Sequence, residues 1–84
     1  METLEEVREA VEAGAHIIML DNMPAPGMKQ AVDIIGGRAL VEASGGITME
    51  TVRAVAETGV DLISIGGLTH SPRALDISLD LEFN

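Results

Sequence analysis

Apolar residues fall into two kinds of pattern along this chain, and the two kinds alternate. Leu4, Val7 and Val11 recur at helical spacing behind Thr3-Leu4-Glu5-Glu6, a capping-box sequence, and Gly14 stands where a helix would close. Ile17-Ile18-Met19-Leu20 follows as a short continuous apolar run, which predicts a strand buried on both faces, as in a parallel sheet. Asp21-Asn22 lies just past its end. Met23-Pro24-Ala25-Pro26-Gly27 reads as a loop. Pro26 is placed to start a second helix with Met28, Val32 and Ile35 inward, ended by Gly36-Gly37. Ala39-Leu40-Val41-Glu42-Ala43 predicts the second strand. Thr48 is placed to cap a third helix with Met49, Val52, Val55 and Ala56 inward, stopped at Gly59. Leu62-Ile63-Ser64-Ile65 predicts the third strand, ending at Gly66-Gly67. Ser71-Pro72 starts a short helical turn. Asp76 to Leu81 alternates apolar and polar and predicts a further strand with one wet face.

Helix and strand in alternation imply parallel βα units. An internal repeat supports this. Thr3-Leu4-Glu5-Glu6-Val7-Arg8 matches Thr48-Met49-Glu50-Thr51-Val52-Arg53, and Gly14-Ala15-His16-Ile17-Ile18 matches Gly59-Val60-Asp61-Leu62-Ile63, both at an offset of 45 residues. The fold class expected is α/β, with three core strands and their helices forming part of a (β/α) barrel, plus a C-terminal strand. Such a barrel takes about 250 residues. The helix at Thr48 has a strand and Ser-Gly-Gly before it, whereas its counterpart at Thr3 has only Met1-Glu2. Residues 1–84 are therefore expected to be the C-terminal fragment of a larger barrel domain.

Composition narrows the function classes. The formal charge of -9 comes with only five basic residues, and these are scattered. No cationic stripe is present to neutralise a nucleic-acid backbone, and an acidic surface disfavours anionic membranes. There is no cysteine, so disulfides and thiolate metal sites are excluded. No apolar run has the length of a membrane span, and the acidic start does not read as a signal peptide. A soluble, cytoplasmic location is expected. The core must be built from aliphatic residues and Met, since the chain holds one Phe and no Trp or Tyr.

Candidate chemistry gathers at the carboxyl ends of the predicted strands, where parallel α/β folds bind ligands. Glu42-Ala43-Ser44-Gly45-Gly46-Ile47-Thr48 is the stretch of most interest. A strand that turns into a helix through Ser-Gly-Gly leaves backbone N–H groups free, without Cβ atoms to hold a ligand off, and so makes a seat for a phosphate. A tight turn needing glycine for its dihedrals alone is the plainer reading. Gly66 and Gly67 are placed to bring a second set of N–H groups to the same anion, or to form a simple turn. Asp21 fits a Mg²⁺ ligand or an acceptor for sugar hydroxyls, or else a turn residue. Glu42 fits a site-lining carboxylate or an ion-pair partner. His70 fits a donor to a phosphate or pyrophosphate oxygen, or a loop histidine. His16 stands before its strand, at the opposite end, where packing or exposure is expected. No Lys lies at a strand end, which argues against a Schiff-base aldolase among sugar-phosphate barrels.

The ordered set Ile18-Met19-Leu20-Asp21-Asn22-Met23, Leu40-Val41-Glu42-Ala43-Ser44-Gly45-Gly46-Ile47-Thr48, Glu57-Thr58-Gly59-Val60-Asp61, Gly66-Gly67-Leu68-Thr69-His70-Ser71 and Leu75-Asp76-Ile77-Ser78-Leu79 closely resembles the C-terminal end of the quinolinate phosphoribosyltransferases. The resemblance covers nearly the whole chain. It implies an enzyme of NAD biosynthesis that makes nicotinate mononucleotide, pyrophosphate and CO2 from quinolinate and phosphoribosyl pyrophosphate with Mg²⁺. It also implies a homo-oligomer with an incomplete barrel. By that resemblance Asp21 contacts ribose hydroxyls or metal, and Glu42 lines the site. Ser44, Gly45, Gly46, Gly66 and Gly67 hold the 5′-phosphate, and His70 lies near the phosphate or pyrophosphate. The family usually has Ala where Gly67 stands and often Asp where His16 stands. Its glutamate that pairs with Asp21, and the basic residues for the two carboxylates of quinolinate, belong to chain that precedes Met1. These 84 residues alone are accordingly expected to be inactive. Two other readings are an excised βα segment that self-associates without activity, and part of another sugar-phosphate barrel enzyme.

Overall fold

The computed structural model describes residues 3–73. Three helices and four strands follow in the order α1 (Leu4–Glu12), β1 (Ile17–Asp21), α2 (Ala25–Ile35), β2 (Leu40–Ser44), α3 (Val52–Glu57), β3 (Leu62–Ile65) and β4 (Leu68–His70). One sheet holds the strands in sequence order. β1 pairs with β2, and β2 with β3, in parallel, so the expected βα units are present.

Local chemistry accounts for the helix ends. Thr3 Oγ1 accepts from the Glu6 N–H at 3.2 Å and so caps α1. At the other end Gly14, at φ 79°, lets its own N–H reach Val11 O and the Ala15 N–H reach Ala10 O, a Schellman motif. α2 starts at Ala25 with Pro26 in its first turn, and Gly36 closes it in the left-handed conformation. The Arg38 guanidinium donates back to the Ile34 and Ile35 carbonyls, which covers acceptors the helix leaves over.

The core lies on one side of the sheet. Ile18, Leu20, Val41, Ala43 and Ile63 turn to the side where Val7, Met28, Ala31, Ile35, Val52 and Val55 of the helices meet them. Ile18, Leu20, Met28, Ile35 and Ile63 are fully buried, each worth about 1.5–3 kcal/mol of transfer free energy. Ala31, absent from the predicted stripe, is fully buried, because its small side chain lets α2 lie close to its neighbours.

Four expectations are corrected. β1 is not buried on both faces: Ile17 and Met19 are exposed, because among the described residues nothing covers the second face of the sheet. α3 does not start at Thr48. The Thr48 carbonyl accepts from the Thr51 and Val52 N–H groups, and Thr51 Oγ1 accepts from the Thr48 N–H at 3.0 Å, so residues 48–51 form a capped turn ahead of a six-residue helix. Met49 is exposed rather than inward for the same reason. Last, Gly66 and Gly67, at φ 57° and 82°, form a two-residue turn that sends β4 back antiparallel to β3. A fourth strand therefore stands where only a loop was expected. The strand predicted from Asp76 to Leu81 lies outside the described residues. No helix among the described residues is long and apolar enough to cross a membrane.

Candidate functional site

The uncovered face of the sheet carries the residues singled out above. The register sets Met19 beside Glu42 and Asp21 beside Ser44. Their neighbours Leu20 and Ala43 are fully buried on the helix side. Strand alternation then turns Asp21, Glu42 and Ser44 to the open face. Ser44 Oγ donates to Asp21 Oδ1, so the β1 and β2 ends are joined by side chains as well as by the Asn22 N–H to Ser44 O bond of 3.1 Å. Glu42 sits two residues back from Ser44 on that face, half-buried. Both carboxylates therefore occupy one surface, as a shared site requires.

The two glycine pairs lie at the same rim. Glu42 aligns with Leu62 and Ala43 with Ile63. Gly45-Gly46 and Gly66-Gly67 thus leave the carboxyl ends of adjacent parallel strands. The N–H groups of these four glycines donate to no acceptor among the described residues. The helix-dipole part of the expectation does not hold, since α3 begins six residues after Gly46 and has less than two turns. Whatever anion affinity the loop has must come from its own N–H groups.

Close approach, and not dihedrals alone, explains Gly45. A Cβ there would stand 2.6 Å from Asn22 Oδ1 and 3.1 Å from the Asn22 backbone nitrogen. Asn22 itself is left-handed, at φ 52°, a conformation that Asn tolerates better than most residues. A cavity of about 430 Å³, lined mainly by apolar groups including Met23, Met28, Ile47 and Val55, lies under this loop on the helix side.

His70 is not brought to the carboxylates. It pairs with Ile63, which is fully buried on the helix side, so His70 shares that face and not the open one. The hairpin reversal at Gly66-Gly67 causes this: Thr69, beside Ser64, takes the open face, and His70, one residue further from the turn, takes the other. His16 lies at the amino end of the sheet, where its carbonyl accepts from Leu40, away from the rim. Among the described residues no group of three or more His, Cys, Asp or Glu converges. A closed protein cage for a metal is therefore not built here. One half-buried carboxylate at an open rim suits Mg²⁺ instead, which keeps waters and binds through one or two carboxylates and substrate oxygens. Asn22 is marked by the sequence as a strand-end polar residue, whereas the hydroxyl residues Ser64 and Thr69 are not. Only the register shows that they stand at this rim.

The profile of the family described as quinolinate phosphoribosyl transferase, C-terminal domain, matches residues 1–80. A probable nicotinate-nucleotide pyrophosphorylase (carboxylating) of Bacillus subtilis is 47% identical over 84 residues, all of this chain and 29% of that protein. A mitochondrial quinolinate phosphoribosyltransferase (decarboxylating) of Nicotiana glauca is 46% identical over 95% of this chain and 27% of its own length. The crystal structure of nicotinate-nucleotide pyrophosphorylase from Ehrlichia chaffeensis superposes with a TM-score of 0.76 at 41% identity, over 79% of this chain and 24% of that one. The chain thus spans about a quarter of the length of the relatives it matches.

Proposed function

The chain belongs to the quinolinate phosphoribosyl transferase family, in its C-terminal domain, and on that premise we propose that the protein carrying it makes nicotinate mononucleotide, pyrophosphate and CO2 from quinolinate and phosphoribosyl pyrophosphate. Residues 1–84 supply the ribosyl-phosphate part of the site on this reading. The carrying observation is the Asp21–Ser44 pair, held across two strand ends at the rim shared by both glycine loops.

Each residue has a chemical task in this reading. Asp21 would accept from ribose hydroxyls, or would hold Mg²⁺. Mg²⁺ when bound would neutralise charge on the pyrophosphate leaving group. Gly45 and Gly46, with Gly66 and Gly67, donate N–H groups to the 5′-phosphate, where the absent Cβ atoms allow close approach. Glu42 lines the same open face. His70 has no part in the carboxylate row, because its register turns it away. A homo-oligomer belongs to the same proposal, as does a cytoplasmic location. The Nicotiana glauca relative is named as mitochondrial, so family membership does not by itself fix the compartment.

The test is turnover by the natural protein that contains these residues. Quinolinate, phosphoribosyl pyrophosphate and Mg²⁺ should yield pyrophosphate and CO2 in equal amounts. A correctly folded protein that releases neither would refute the reading.

A further inference from the structure

The rim carries more hydroxyl groups than the two glycine loops require. Continuing the β2–β3 register by one residue sets Ser44 beside Ser64, and Ser64 pairs directly with Thr69 of β4. Ile63, the buried residue of β3, faces the helices with no exposed surface, so Ser64 and its partner Thr69 face the other way. Asp21, Ser44, Ser64 and Thr69 therefore form one polar row across four strands, at steps of about 4.8 Å.

Hydrogen-bond accounting divides this row. A serine hydroxyl has one hydrogen to give. Ser44 gives it to Asp21. With that bond in place Ser44 Oγ offers a ligand only lone pairs, and a fully ionised phosphate offers only acceptors. The two do not match. Ser64 and Thr69 hydroxyls, by contrast, donate to no acceptor among the described residues. Ser64 is half-buried and Thr69 exposed, so both remain within reach of a ligand at the rim.

We propose that Ser64 and Thr69 are binding residues whose hydroxyls donate to the phosphoryl group of the ribosyl substrate, and that the Ser44 side chain is a positioning residue for Asp21. This rests on the transferase reading above. The substrate's phosphoryl group then meets backbone N–H groups from the glycine loops and two hydroxyls from the hairpin. Ser44 keeps the Asp21 carboxylate aimed at the ribose or its metal.

The experiment is calorimetric titration of the natural protein with phosphoribosyl pyrophosphate plus Mg²⁺ and, separately, with inorganic phosphate. Ser64→Ala and Thr69→Val should each weaken both probes by about 12- to 160-fold, the range one hydrogen bond to a charged group supplies. The KM for quinolinate should stay within about twofold, below what a lost hydrogen bond costs. Ser44→Ala should leave inorganic phosphate binding unchanged and raise the Mg²⁺ concentration needed for half-maximal turnover. Ser44→Thr, which keeps the hydroxyl, should restore it. Thr69 is exposed, so Thr69→Val decides the matter even if Ser64→Ala folds poorly. Wild-type affinity in Thr69→Val, or phosphate binding lost equally in Ser44→Ala, would overturn the assignment. Wild-type protein that binds no phosphoribosyl pyrophosphate would instead overturn the transferase reading, and this assignment with it.

Discussion

Asn22 and Gly45 are fitted to each other: the Asn22 Oδ1 atom stands 2.6 Å from where a Cβ on residue 45 would be, and both residues have positive φ. The first prediction follows from this. Gly45→Ala should lose about 1–3 kcal/mol, the usual cost of a strained backbone position. Its Cβ would meet a backbone nitrogen as well as the amide, so the side chain moving aside relieves only part of the clash. Asn22→Gly keeps access to the left-handed region and should cost little. Asn22→Val cannot keep it easily and should cost more. Thermal unfolding of the three variants checks the order, and equal midpoints for Gly45→Ala and wild type would contradict it.

A second prediction concerns Asp61, which stands just before β3. Its N–H donates to Val41 O at 2.9 Å, and its Oδ2 accepts from the Val41 N–H at 2.8 Å. One side chain thus completes the pairing of β2 with the start of β3. Asp61→Ala would leave a buried N–H at Val41 without an acceptor, at a cost of about 1–3 kcal/mol. Asp61→Asn keeps an acceptor oxygen and should recover most of that loss. Denaturant midpoints of the two variants give the comparison, and similar destabilisation by both would show that the bond to Val41 is not what matters.

These two devices show how far local pattern reaches. Thr3, Gly14 and Gly36 mark helix ends by rules that depend on residues within one turn, and all three are legible in the chain. The strands β1, β2 and β3 are legible too, to within a residue or so. The one-sided sheet is not. Ile17-Ile18-Met19-Leu20 is apolar throughout, yet only Ile18 and Leu20 are buried. Whether the other two are covered depends on chain distant in sequence. Gly66-Gly67 satisfies a phosphate loop and a hairpin turn equally, since both take two residues at positive φ. The choice is made by Leu68-Thr69-His70 pairing back on β3, a contact that periodicity over three residues does not signal. The α3 start is not legible because Thr48 does open a turn, one closed by its own carbonyl and the Thr51 hydroxyl, and only the geometry of residues 49–51 shows that regular helix begins later.

Asp21 supports a third prediction, on activity. Asp21→Asn keeps the size of the side chain and an oxygen for the Ser44 hydroxyl, so the rim should fold normally. The negative charge is lost. If Asp21 serves ribose or Mg²⁺ as proposed, phosphoribosyl transfer by the natural protein should fall by about 100-fold or more, the scale for removing an electrostatic contact in a site. Quinolinate binding in the absence of the second substrate should be unchanged. Steady-state kinetics beside a quinolinate titration measure the two effects. Full activity in Asp21→Asn would remove this residue from the site.

The last prediction concerns the polypeptide 1–84 expressed alone. Ile17, Met19 and Leu40 share the open face and are 57%, 43% and 49% exposed, with Glu42 and Asp21 as the carboxylates of β1 and β2 on that face. Apolar groups gathered on one sheet face gain about 25 cal/mol for each Å² they hide from water. Among the described residues β1 is also an edge of the sheet, the position where a further strand can add. The net charge of -9 opposes association through repulsion, but salt screens exposed charges beyond about 8 Å at physiological strength, whereas the apolar face is unaffected. Association should therefore win at ordinary salt and weaken when salt is lowered. Size-exclusion chromatography should place the polypeptide above its 8.8 kDa monomer mass. Leu40→Lys and Met19→Lys together should return it towards the monomer, since both put charge on the face that must be buried. Quinolinate turnover should be absent in every such sample, because the chain spans only about a quarter of the relatives that carry the activity's name. A monomeric, well-folded polypeptide at physiological salt would show that this face is stable in water and that exposure of these three side chains does not drive assembly.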